Sequence, residues 1–149
     1  MDDILKDHLW NYFTLHSQQR MTIFNYYIVI SGGIIAAIGF CLQSNKDYSL
    51  ISSMLSFMLI LVSFLFYKID QRTSCLIKIS EVGLKHFEVR FNDNEYKVFR
   101  ESEDLLATSS NLKSPLSIMT YGQIFRISYM VIGLWGFVLL FLIVSNFFK

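Results

Sequence analysis

Three windows of this chain contain no charged residue: Thr22–Leu42, Ser49–Tyr67 and Ile127–Phe148. At about 1.5 Å of helix rise per residue, each can cross a hydrocarbon core roughly 30 Å thick. The soluble alternative is a set of buried core helices. Three of them in 149 residues would need a larger polar shell than the sequence supplies. Only 17% of the residues are charged and 53% are hydrophobic, against roughly 25% and 45–50% in an average soluble domain. The expected fold is an all-α membrane protein. It has three transmembrane helices, an N-terminal amphipathic helix, and a helical cytoplasmic region between spans two and three.

The first window does not read as a secretory signal. The segment before it is too long, and two more spans follow. Net charge is only +1, so global charge argues for no partner. Cys41 and Cys75 are expected on opposite sides of the membrane, where they cannot pair, and they form no zinc or redox motif.

Lysine and arginine set the orientation. Lys6 and Arg20 precede the first span, and nine more lie between spans two and three, from Lys68 to Arg126. Only Lys46 and Lys149 fall on the other side. The basic side belongs in the cytoplasm, so the N-terminus is expected inside and the C-terminus outside. Four regions follow: 1–21, an N-terminal cytoplasmic or interfacial helix; 22–67, a two-span hairpin; 68–126, the helical cytoplasmic region; and 127–149, the third span.

Asp2 and Asp3 suit the positive end of a helix. Ile4, Leu5, Leu9, Tyr12, Phe13 and His16 then recur at helical spacing beside Trp10. This stretch either lies on the membrane, with Trp10 and Tyr12 at headgroup level, or packs on the cytoplasmic region. No Gly or Pro separates it from the first span, so one bent or continuous helix over Asp2–Leu42 is expected. In that span Gly32 with Ala36, and Gly33 with Ala37, have the spacing that lets helices approach closely in lipid. That face serves packing within one chain or contact between chains.

In the second span, Ser49, Ser52, Ser53, Ser56 and Ser63 fall largely on one stripe, continued by Ile60 and Tyr67. Serine can bond its own helix backbone, so lipid tolerates the stripe. Helix packing and the lining of a wet path are both open, and Ser49, Ser52, Ser56 and Ser63 are the pore-lining candidates. Beyond Tyr67 the helix is expected to run on into water. Lys78, Glu81, Lys85 and Glu88 form a ladder there at three- and four-residue steps, with Glu81 favourably placed before Lys85. The ladder is either a solvated face or part of a site for an anionic signal, for which Lys78, Lys85, Arg90, Lys97 and Arg100 are candidates. "NDN" marks a turn, Glu95–Ala107 a second helix, "TSSNLKSP" a loop, and Ser114–Pro115 a helix start.

No catalytic constellation appears, and the reading is of a protein that is not an enzyme. His8 and His16 share a face two turns apart, too far for one metal, and His86 stands elsewhere. No carboxylate lies within a span, and there is no phosphate loop, HExxH or nucleophile elbow. No metal or cofactor is expected. One three-span protomer is too thin to enclose a water path, so conduction requires a head-to-tail oligomer.

Two stretches carry a resemblance: "WNYFTLHSQQRMTIFNYYIVISGG" from Trp10 to Gly33, and "LFYKIDQRTSCLIKISEVGLKHFE" from Leu65 to Glu88. They resemble small membrane proteins of bacterial antiphage defence operons, most nearly the membrane effector of the Hailong system. The resemblance does not extend to the third span or to Asn92–Pro115. It implies an oligomeric ion channel in the bacterial inner membrane, a tetramer or similar ring. Such a channel is gated by a nucleotide or oligonucleotide made by a partner nucleotidyltransferase, and it depolarises the membrane to arrest growth. The alternative is a non-conducting anchor that recruits a cytoplasmic protein. The segment from Lys68 to Arg126 holds nine basic and eight acidic residues. A site for a phosphate-rich ligand must therefore be assembled locally, and its binding would be salt-dependent.

Gln19 and Arg20 fall at the cytoplasmic headgroup level, where Arg reaches phosphates. Asp70 and Arg72 leave span two at the same level, which makes Arg20–Asp70 a candidate pair. Asn25 lies just over one turn inside, where its amide is expected to bond another helix. His16, Gln19, Arg20, Asn25, Asp70 and Arg72 thus form a candidate polar collar through which a gating movement would pass. Ordinary snorkelling and capping is the plainer alternative.

Overall fold

Long runs of good helix formers with no proline produce long helices, and three of them make up the described structure. The computed structural model describes residues 2–44, 48–90 and 120–147. Helix α1 spans Asp2–Gln43 and helix α2 spans Ser49–Arg90, each of 42 residues. Helix α3 spans Tyr121–Phe147. Within them Ile4–Gln43, Ser49–Glu88 and Tyr121–Ser145 are long and apolar enough to cross a membrane. Gly32, Gly33 and Gly39 do not break α1, because in a membrane span neighbouring backbone bonds keep the helix intact. The expected NDN turn, the Glu95–Ala107 helix, the following loop and the Ser114–Pro115 start lie outside the described residues.

The N-terminal segment runs into the first span as one continuous helix, as the lack of Gly or Pro between them predicts. It is the first part of α1, and Ile4, Leu5, Trp10 and Leu15 are all exposed. An uninterrupted run of helix formers gave the chain no reason to stop at residue 21.

The chain divides into two compact units. One comprises Met1–Arg20 and Arg72–Tyr121. In it α2 turns a face of small and branched side chains inward: Thr73, Ser74, Ile77, Ser80 and Leu84 are buried. These positions repeat at three- and four-residue steps, as one face of a helix must. Gly83 on this side lets Leu9 of α1 come so close that a Cβ there would lie 3.0 Å from its Cδ1. Ser80 returns its hydroxyl to the Leu76 carbonyl at 3.0 Å, so the small polar face carries no unmet donor there.

The other unit comprises Met21–Gln71 and Gly122–Lys149. Its core is aromatic. Tyr27, Phe125 and Tyr129 are buried, with Phe24, Val62, Phe66, Tyr67 and Ile132 packed around them. Phe24 stacks on Phe125 at 4.1 Å between ring centroids. Tyr27 meets Tyr129 edge to face at 4.6 Å, a geometry favoured by the ring quadrupoles. Above this cluster α3 approaches α2 through glycine. A Cβ on Gly136 would lie 3.0 Å from Ile60 Cγ1 and 3.4 Å from the Ser56 carbonyl, and one on Gly133 would lie 3.2 Å from Ser63 Cβ. Lipid supplies no hydrophobic drive between helices, so close backbone contact of this kind holds them together.

Candidate functional site

The serine stripe is where sequence and packing meet. Ser52, Ser56 and Ser63 are buried inside the protomer, while Ser49 is half-buried. Ser56 donates to the Ser52 carbonyl at 2.9 Å and Ser63 to the Leu59 carbonyl at 2.8 Å. Ser63 Oγ also lies 3.0 Å from the Tyr27 hydroxyl. Ser63 has already given its hydrogen to Leu59, so Tyr27 is the donor. Ser31 of α1 makes the same local return, to the Tyr27 carbonyl at 2.7 Å. The buried Ser52 hydroxyl has no hydrogen-bond partner among the described residues. The stripe is thus the surface on which α1 and α3 rest, with Gly133 seated on Ser63 and Gly136 on Ser56.

Two contacts involve residues of the expected collar, each within its own unit. In the first, His16 Nδ1 donates to Gln19 Oε1 at 3.0 Å, and the Tyr12 ring meets the His16 ring edge-on at 4.2 Å. Arg20 is half-buried and Arg72 exposed. In the second, Asp70 is 1% exposed and its Oδ2 lies 3.6 Å from Arg126 Nε, on a side chain 42% exposed. Asn25 is exposed on α1, and its amide makes no hydrogen bond among the described residues.

Sequence reasoning counted Arg126 only as one of the basic residues flanking the third span. A signal was present. Asp70 follows the second charge-free window by three positions and Arg126 immediately precedes the third, so both belong at one level of the bundle. Gly133, Gly136 and Tyr27 carry no motif of their own in the sequence. Their roles depend on which faces meet, and no single helix pattern gives that.

Of the anion-binding candidates, Lys78 is exposed and Lys85 half-buried on α2. Arg90 ends α2, and Lys97 and Arg100 lie outside the described residues. Among the described residues there is no cluster of His, Cys, Asp or Glu suited to a metal ion. Cys41 and Cys75 are free thiols.

A groove of about 400 Å³ opens on the side of the second unit, between α2 and α3. Ile60, Phe64 and Tyr67 line it from α2, and Met130, Leu134 and Phe137 from α3, with Gly133 and Ser63 at its floor. Glycine makes the groove: with no side chain at residue 133, the surface dips between the flanking rings.

The described arrangement is a three-helix membrane protomer with polar residues at the ends of its spans and an apolar groove on its flank. The chain is similar to known proteins along most of its length. Over 135 residues it is 41% identical to "CD-NTase-associated protein 19" of Escherichia coli, an alignment covering 89% of this chain and 86% of that protein. No solved structure matches it. The model of the octameric membrane protein family (8xMP) matches residues 6–144, and the chain belongs to that family.

Proposed function

We propose that this protein is the membrane effector of a bacterial antiphage defence system. It acts as an octameric channel that depolarises the inner membrane when a nucleotide or oligonucleotide signal changes its state. The observation that carries this reading is the joint one. The chain belongs to an octameric membrane family over nearly its whole length, and a relative at 41% identity is named for association with a CD-NTase. A nucleotidyltransferase partner that makes the signal accords with that name. The family's eight subunits replace the tetramer or similar ring expected from sequence.

Eight protomers suffice to enclose a water path where one does not. Eight helices in a ring, at about 8–10 Å between neighbours and about 10–12 Å across with side chains, leave an axial lumen roughly 10–15 Å wide. The packing of Ser52, Ser56 and Ser63 inside the protomer supports the helix-glue reading of the stripe over the lining reading.

The same account keeps the N-terminus and the segment between α2 and α3 in the cytoplasm, following the basic residues. Lys78, Lys85, Arg90, Lys97 and Arg100 receive the anionic signal there. The collar of His16, Gln19, Arg20, Asn25, Asp70 and Arg72 passes the response to the spans. A signal can shift the channel only by binding one state more tightly than the other. No catalytic step is assigned to the chain.

The test is induced expression with a membrane-potential dye, with and without the nucleotidyltransferase. Expression should collapse the potential in one of the two conditions. Full potential in both, with the protein octameric in the membrane, favours a non-conducting anchor.

A further inference from the structure

In the membrane unit, the glycines divide into two kinds. Gly133 and Gly136 face neighbouring helices within the protomer, but a Cβ on Gly32, Gly33 or Gly39 would meet nothing within 4 Å. Gly32 and Gly33 are exposed on α1, and Gly39 is half-buried at the flank of its buried positions Tyr27, Ser31 and Ile38. Along the outer side of α1 run Thr22, Asn25, Val29, Gly32, Ala36 and Gly39, at alternating steps of three and four. Steps of three and four keep these positions in a seam on one face of the helix, and Gly32, Ala36 and Gly39 make that face small enough for another helix to approach closely. Val29 is 72% exposed. Asn25 is exposed, and its amide makes no hydrogen bond among the described residues. An amide left facing hydrocarbon is costly, so a span that carries one normally turns it to protein or water.

Membrane insertion gives every copy the same orientation, so eight copies close as a ring about the membrane normal. A ring uses two different patches per protomer, and rotation about the normal keeps each patch at its own depth. The Tyr27–Ser63 contact puts these residues at one level, and Gly133 against Ser63 joins them. The α2–α3 groove extends about one turn to either side of Ser63, from Tyr67 to Ile60. Since α1 runs antiparallel to α2, that range corresponds to about Ile23 to Ile30, with Gly32 at its outer edge. The groove and the central part of the seam therefore share a depth. The groove is apolar, and its polar edge is Tyr67, whose hydroxyl also makes no hydrogen bond among the described residues.

The geometry points to one interface: the outer face of α1, centred on Val29 and Gly32, docks into the α2–α3 groove of the next protomer around the ring. Gly32 and Ala36 let the two helices close together, Val29 enters the groove beside Leu134, and the Asn25 amide meets the Tyr67 hydroxyl of the next protomer. The interface rests on the family's octamer and does not depend on conduction.

The test is cysteine cross-linking in membranes of the full chain carrying Cys41→Ser and Cys75→Ser. Val29→Cys with Leu134→Cys should give, on oxidation, a ladder of products rising to eight copies. Val29→Cys with Phe141→Cys, more than a turn away in depth, should give none. Octamers of the first variant, verified by native mass spectrometry, that yield no ladder would overturn the interface. So would a ladder equally strong from the second pair. Separately, Gly32→Leu should release monomers that keep their helical circular dichroism, since nothing within the protomer opposes a side chain there. Intact octamers of Gly32→Leu would count against the seam.

Discussion

The Tyr27 hydroxyl donates to Ser63 Oγ at 3.0 Å, and Ser63 in turn donates to the Leu59 carbonyl at 2.8 Å. This relay ties α1 to α2 at the depth of the aromatic core. Tyr27→Phe removes one hydroxyl and leaves Ser63 satisfied by its own helix. Ser63→Ala removes the acceptor and strands the Tyr27 hydroxyl. Interhelical hydrogen bonds in membranes average about 0.6 kcal/mol, whereas a buried polar group left unmet costs about 1–3 kcal/mol. Thermal unfolding in detergent should therefore rank Ser63→Ala as the more damaging. Midpoints of both variants equal to wild type would mean the relay contributes nothing, and equal losses in the two would contradict the stranded hydroxyl.

Gly136 is predicted to be intolerant of any side chain. A Cβ there would lie 3.0 Å from Ile60 Cγ1, which must give way, and 3.4 Å from the Ser56 carbonyl, which leaves no room for a larger side chain. Overpacking of this kind costs about 1–3 kcal/mol. Gly136→Val should lower the unfolding midpoint and the yield of folded protomer, while Gly39→Ala, which meets nothing within 4 Å, should leave both near wild type. Equal behaviour of the two would contradict the packing of α3 on α2.

Much of this was legible in the chain. The three charge-free windows announced three helices, and the missing breakers between Asp2 and Gln43 announced that α1 would be continuous. The serines at 52, 56 and 63 announced a shared face. What the sequence left open was the identity of the partner on that face. Serine bonds its own backbone equally well against a helix or a water column, so its pattern is the same in both. Gly133 and Gly136 favour the helix, because their complement is shape, and shape appears only when two helices are placed together. Asn25 is the converse case. Its depth predicts a partner, and the described residues supply none, which leaves its amide open to the proposed neighbouring copy.

Asp70 and Arg126 are predicted to couple. Asp70 is 1% exposed and Arg126 is 42% exposed, so the pair is only partly screened by water. Asp70→Asn and Arg126→Gln should each lower the unfolding midpoint. The double variant should lose less than the two losses added, with a coupling of about 0.5–3 kcal/mol. Strict additivity in the cycle would show that the two charges do not stabilise each other.

The proposed orientation is testable by fusion. Alkaline phosphatase joined at Lys46 should be active, since the positive-inside rule places that turn outside. A fusion at Asn94 should be inactive. Activity at Asn94 with none at Lys46 would invert the topology and remove the cytoplasmic signal site with it.

The central claim is that eight copies conduct. Purified protein, shown to be octameric by native mass spectrometry, would be reconstituted into planar bilayers and its current recorded under voltage, with and without the nucleotidyltransferase's product. The account predicts discrete channel currents in one condition and their loss in the other. Silent bilayers in both conditions, from octamers that remain assembled, would contradict it.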